Sequence, residues 1–376
     1  MQRVQPSSMG NLGIGIPQIR EDEHLKALDE KTFKLYFNLI RNRYCFKEIE
    51  FSNSVHYYAV WQNSLVAVID DPEASYLSRF EMGSLQTFQR KKGWVHISNS
   101  ANDFTCAIAY KDKIVVALKN GCLKLVDPRK PHTIDKTYQH HSEWKFIVSD
   151  PDYQRIIAAD AQGKIIAWNV ESEPVPSLTF EIEGPILGFS IDKGTLVALG
   201  KGDVIYVFDL PSGLKSELGM RRFKHPEGLC DATIYQDQIL TSSNEEAIIR
   251  IWDVKTLGLK KAVDLSEIKL TNRDFNKADF KWSSCHWSRF FMGEILIFSQ
   301  LCTLKGDPFS SRHHEQRSKL PPGNDVTDVI VVWDPIKEIG TLLDFCADKD
   351  DFFVHDGKLI TGGAEDSGII QVYKYA

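Results

Sequence analysis

The chain has 376 residues, 43% of them hydrophobic and 26% charged, with a formal net charge of -6. This is enough apolar side chain for a large core and excludes wholesale disorder. The acidic balance argues against binding nucleic acid through overall charge, so no direct nucleic-acid contact is expected.

No run approaches the ~20 apolar residues that span a bilayer, and the first fifteen residues lack the pattern of a secretory signal. A soluble chain without membrane insertion is expected, working in the cytoplasm, the nucleus or both. The seven cysteines (45, 106, 122, 230, 285, 302 and 346) are scattered and never form a C-x-x-C pair. Buried free thiols are expected from them, not zinc or redox chemistry.

In chain order, residues 1–19 are rich in Ser, Gly, Pro and Gln and read as a flexible arm. Residues 20–44 switch to helical spacing: Leu25, Leu28, Thr32, Leu35 and Leu39 follow steps of three and four, widened by Phe33, Tyr36, Phe37 and Ile40. Acids cluster at the start and Arg41 and Arg43 at the end, which suits the helix dipole. One amphipathic helix is predicted. "CFKEIEFS", residues 45–52, then has the pattern of a strand.

From residue 53 onward a repeat emerges. An apolar strand ending in an aromatic or aliphatic anchor returns as "CLKLVDPRK" (Val126), "KIIAWNVES" (Trp168), "VIYVFDLPS" (Phe208), "IIRIWDVKT" (Trp252), "VIVVWDPIK" (Trp333) and "IIQVYKYA" (Tyr373). The intervals are 42, 40, 44, 81 and 40 residues, a period near 40 with one insertion. A second apolar run precedes each anchor, from "KIVVALKNG" to "KLITGGAED", and Gly, Asn, Asp or Ser separates the two runs as hairpins require. An earlier unit beginning "VHYYAVWQNSLVAVIDD" has the same rhythm and brings the total to seven.

"IRIWDVKT" and "IVVWDPIK" resemble the ends of WD repeats, and Trp168-Asn169 and Phe208-Asp209 weakened forms of them. The resemblance spans residues 53–376 and implies an all-β, seven-bladed WD40-like β-propeller over residues 45–376, preceded by the short amphipathic helix. It departs from the family in lacking the Gly-His pair. The position of the expected acid, six residues ahead of each anchor, holds Asn120, Gln162, Gly202, Glu246, Thr327 and Ser367. The last unit stops at its third strand, so residues 45–52 are expected to supply the fourth and close the ring.

Residues 305–325, "KGDPFSSRHHEQRSKLPPGND", read as a long loop inserted in the sixth unit, overhanging the face where such rings commonly bind partners. Its Arg312, Arg317 and Lys319 suit an acidic or phosphorylated peptide segment. Trp94 and Trp144, placed near that face, complete the expected binding residues. His313, His314 and Glu315 lack zinc spacing, and no metal site is expected. His140-His141 stand roughly where a WD repeat keeps a structural histidine.

No nucleophile elbow, phosphate loop or paired catalytic carboxylates occur. The predicted inner strands, such as "FTCAIAY" and "ILGFSID", are too apolar for a channel enzyme. The expectation is a non-catalytic scaffold or adaptor subunit of a protein complex, without cofactors. A second reading takes "IPQI" and "RYCFKEI" as resembling the ends of an F-box. Leu25, Leu28, Phe33 and Tyr36 would then face the adaptor of a ubiquitin ligase.

Overall fold

A computed structural model describes the strands between Cys45 and Lys374, with side chains across most of residues 105–264 and at Glu267, Trp333 and Gly340. Residues 1–44, 305–324 and 343–351, with some shorter stretches, lie outside the described residues. The arm at 1–19, the helix at 20–44 with Leu25, Leu28, Phe33 and Tyr36, Trp94, and Arg312, Arg317 and Lys319 therefore fall outside them.

The described strands assemble into seven sheets that follow the chain in order. Blade one covers residues 55–98, blade two 104–139, blade three 144–181, blade four 188–224, blade five 229–264 and blade six 269–342. Blade seven joins residues 352–374 to Cys45–Glu50. The first strands of blades one to six neighbour one another in sequence order. Each blade runs up and down in antiparallel hairpins, as the repeat requires.

The second and third strands are short runs of Val, Ile, Leu and Ala because they are the middle of each sheet and are covered on both faces. Lys113–Leu118, Arg155–Asp160, Thr195–Gly200 and Gln238–Ser243 are each buried at every residue after the first. A strand buried on both sides reads as a continuous apolar run and not as an alternation. The outer strands alternate: Pro176–Glu181 and Met220–Lys224 show every second side chain to solvent.

The anchors of the repeat face the preceding blade. Tyr138 of blade two meets Trp168 of blade three with ring centroids 5.7 Å apart, Phe180 stacks on Phe208 at 5.2 Å, and Phe223 meets Trp252 at 4.8 Å. Blade five does the same with a cation, Lys261 Nζ lying 5.3 Å from the Trp333 ring. An aromatic on the outer strand of blades two, three and four thus covers the next anchor. Such pairs add about 1 kcal/mol each beyond the area they bury.

The first and last described strands meet in blade seven. Cys45–Glu50 runs antiparallel to Ile369–Lys374, with Cys45 opposite Lys374 and Glu50 opposite Ile369. Pairing the two ends removes the open edge that the last strand would otherwise present.

Two blades depart from four strands. In blade one, Phe88–Arg90 and Val95–Ser98 both pair with Ala74–Met82. In blade six, Lys269–Leu270 adds a fifth strand in parallel to Ile339–Leu342.

Candidate partner-binding face

Two sets of backbone hydrogen bonds define the ends of the ring. The residue after each outer strand donates its N–H to the turn between the second and third strands: His140 to Gly121 at 3.0 Å, Ile182 to Gly163 at 3.0 Å, His225 to Asp203 at 2.8 Å. These turns and the loops entering the next blade share one end, the top. The opposite end repeats its own bond, from Val170 to Gln154 at 2.9 Å, Leu210 to Gly194 at 2.7 Å and Val254 to Asp237 at 3.0 Å.

The top turns leave little room for variation at their inner positions. Gly121 has φ +81°, and a Cβ there would stand 2.3 Å from the His140 carbonyl oxygen. Only glycine accepts both that conformation and that approach. Outward positions such as Lys119 and Lys201 stay exposed.

Within this face a cleft of about 360 Å³ is lined by His140, Ser142, Asp160, Gln162, Lys164, Glu181 and Ile182. Asp160 is 2% exposed and accepts the N–H groups of Gln162 and Lys164, both at 2.9 Å, so its carboxylate holds the turn. His140 Nδ1 accepts the Ser142 N–H at 3.1 Å, and its ring lies 4.5 Å from that of Trp144. Those groups serve the local fold. Gln162, Lys164 and Glu181 are the other polar groups that line the cleft.

Trp144, expected to be a binding residue, is completely buried. Its Nε1 donates to the Gly121 carbonyl oxygen at 2.8 Å, and its ring meets Trp168 edge-on at 5.4 Å. Position near the top suggested exposure, but the side chain turns between blades two and three and is part of their core.

The family's internal hydrogen bonds are partly present. His140 and His225 each stand four residues ahead of a first strand, the place of the family's histidine without the glycine before it. His225 is fully buried, its ring 6.0 Å from that of Trp252. Trp252 Nε1 donates to Thr241 Oγ1 at 2.9 Å. The sequence reading singled out neither His225 nor Thr241, although the spacing of His140 from its strand was the signal for the first.

Blade six rises above its neighbours at the top. Its second strand continues eight residues past the partner of Trp333, from Leu296 to Leu304, whereas that of blade five continues four past the partner of Trp252, from Ile239 to Ser243. Four extra residues extend the sheet by about 13 Å. The chain leaves this rim at Leu304 and returns at Asp325, opposite each other in register. Cys45, paired with Lys374, lies at the other end of the ring.

Among the described residues no group of three or more His, Cys, Asp or Glu is placed to hold a metal. Burial pushes the Cys106 thiol up to about 12 and the Cys230 thiol up to about 11, so both stay protonated and unreactive near neutrality. Burial also raises Asp150 above the usual carboxylate range.

No family model matches the chain, and no curated protein matches it in sequence. In structure it is similar to the WD40 domain of coronin from Toxoplasma gondii, with a TM-score of 0.56 and 10% identity over 88% of this chain and 87% of that one. The chain has the WD40 β-propeller fold.

Proposed function

We propose that this WD40-type propeller is a non-catalytic scaffold, a subunit of a hetero-complex that holds partner proteins on its top face. The fold is in general a platform for protein interaction. The observation that carries the reading is the set of bonds from His140, Ile182 and His225 to the turns at Gly121, Gly163 and Asp203. They fix the loops beforehand, so a partner need not spend binding energy on ordering them.

The free thiols at Cys106 and Cys122 support a reducing compartment, cytoplasm or nucleus. The insertion at 305–325 is flanked by Leu304 on the raised rim of blade six, and the composition of its Arg312, Arg317 and Lys319 suits an acidic or phosphorylated segment. The ligase-receptor reading draws support from Cys45, which follows residues 20–44 in sequence and lies at the end of the ring opposite the cleft.

The test compares co-purifying proteins for the full chain, a chain lacking residues 1–44, and a Leu187→Asp, Lys201→Glu variant at exposed positions near the top. The scaffold reading expects partners to be lost by the double variant, at unchanged thermal midpoint, and kept by the truncation. The reverse pattern moves recognition to the N-terminal segment. Ligase adaptor subunits among the lost proteins would then establish the receptor reading.

A further inference from the structure

The outer strand of each blade is an edge that needs protection from pairing with a passing chain, and lysine or arginine on the edge is a common device. The outer strands of blades two, four, five and seven carry such cations, as in Lys136, Arg222, Lys260 and Lys47. Blade one ends in strands of only 3 and 4 residues, and shortness protects equally. Ile339–Leu342 of blade six has no cation but is covered by Lys269–Leu270.

Blade three departs from this rule. Pro176–Glu181 is six residues long, contains no cation and ends its sheet among the described residues. Pro176 removes one N–H at the start of the strand only, so the residues after it keep their pairing groups.

The surroundings of this edge favour one kind of occupant. Val175, immediately before the strand, is 65% exposed, the largest value among the exposed large apolar side chains of the described residues. Residues 171–183 hold four glutamates and no Lys or Arg. Of these, Glu181 and Glu183 are exposed, and neither forms an ion pair among the described residues. Glu181 also lines the top cleft, which makes edge and cleft continuous.

We propose that the outer edge of blade three accepts a fifth strand from a partner protein, an extended segment in which Lys or Arg alternates with aliphatic residues. This rests on the scaffold reading and narrows it to one surface and one chemistry. Main-chain pairing with the residues after Pro176 supplies affinity, the cations meet Glu181 and Glu183, and an aliphatic side chain covers Val175. Blade six shows within the same molecule that an outer strand without a cation takes a fifth strand, and the strand it takes begins Lys-Leu.

The full chain is titrated with a synthetic peptide of about ten residues alternating Lys and Val. A peptide alternating Lys and Gly, equal in charge but poor in strand formation, is the control. Fluorescence anisotropy and amide hydrogen exchange are read together. The Lys-Val peptide is expected to bind at least about tenfold more tightly than the control and to slow exchange across residues 177–182. Thr179→Lys, at an exposed position, is expected to weaken it at least about tenfold with an unchanged thermal midpoint.

Glu181→Lys with Glu183→Lys, which leaves the strand residues from 176 to 180 intact, is expected to weaken binding most at low salt. Equal affinity for both peptides, protection located elsewhere, or full binding by Thr179→Lys overturns the edge. If Thr179→Lys loses the peptide but keeps every protein bound by the wild type, the edge binds strands but is not the route to those partners. If the peptide fails while the top-face variant still loses its partners, the scaffold reading stands without the edge.

Discussion

Arg155, the first residue of the second strand of blade three, donates from Nη1 to the carbonyl oxygen of Leu210 in blade four at 2.8 Å. The neighbouring joints repeat this. Lys136 of blade two donates to the carbonyls of Val170 and Ser172 in blade three, and Arg221 of blade four to those of Val254 and Lys255 in blade five. Val170, Leu210 and Val254 each lie two residues beyond an anchor, so a cation of the preceding blade caps the same carbonyl in three successive blades.

Arg155→Met keeps an unbranched apolar stem and deletes the donor. Leu210 is completely buried, and a hydrogen bond from a charged group to such a site is worth about 2 kcal/mol. Urea denaturation should show a loss of that size with an unchanged slope. A change below about 0.5 kcal/mol, the range of an ordinary surface substitution, would falsify the clamp.

Thr241→Val leaves the Trp252 indole N–H buried without its acceptor, whereas Thr241→Ser keeps the hydroxyl. The first should lose about 2 kcal/mol and the second less than half of that. Similar losses in both variants would mean that packing, and not the hydrogen bond, matters at Thr241.

Gly121→Ala combines a left-handed backbone with a Cβ 2.3 Å from the His140 carbonyl oxygen. The turn must move, and the bonds that His140 N–H and Trp144 Nε1 make to Gly121 must move with it. A loss of about 3 kcal/mol or more is expected, seen as a lowered thermal midpoint and faster amide exchange at His140. A near-neutral Gly121→Ala would show that this turn is not under constraint.

Asp150 is 3% exposed, and burial is the main cause of its raised pKa. The folded state holds the proton more tightly than the unfolded one, so the ionised group opposes folding at neutral pH. That opposition is fully present above the folded pKa and disappears as pH falls below the unfolded value of about 3.9. Asp150→Asn should therefore be more stable than the wild type at pH 7 and match it near pH 3. Stability curves at both pH values decide it, and a variant less stable at pH 7 refutes the account.

Asp253 has the opposite sign. Its hydrogen bond to Lys260, at 2.9 Å, and the N–H of Thr256 hold it below the usual carboxylate range. Its contribution is present above the unfolded pKa and is lost as pH falls through the folded one. Asp253→Asn should thus be less stable than the wild type at pH 7 and converge with it under strong acid, opposite in sign to Asp150→Asn. A variant equal to the wild type at pH 7 removes the contribution.

The repeat was legible because its cause is local. A strand at the middle of a blade is covered on both faces, so it must be an uninterrupted apolar run such as Ile156–Ala159, and the turn after it must offer a glycine or a small polar residue. The same pattern recurs near every 40 residues, and the seven sheets follow it. The pairing of Cys45–Glu50 with Ile369–Lys374 could be anticipated as well, since residues 45–52 have a strand pattern outside the six anchored units.

What the sequence did not reveal depends on direction and on contact between distant residues. Trp144 has the composition of a binding residue and the location of one, yet the packing of blades two and three turns it inward. The weakened family signature concealed Trp252 with Thr241, eleven residues apart, and gave no hint that Arg155 and Leu210, 55 apart, are joined. Local residue patterns determined how many blades form and where each begins. Only the closed ring, by bringing successive blades into contact, decided which side chains serve its joints and which remain on the surface for a partner.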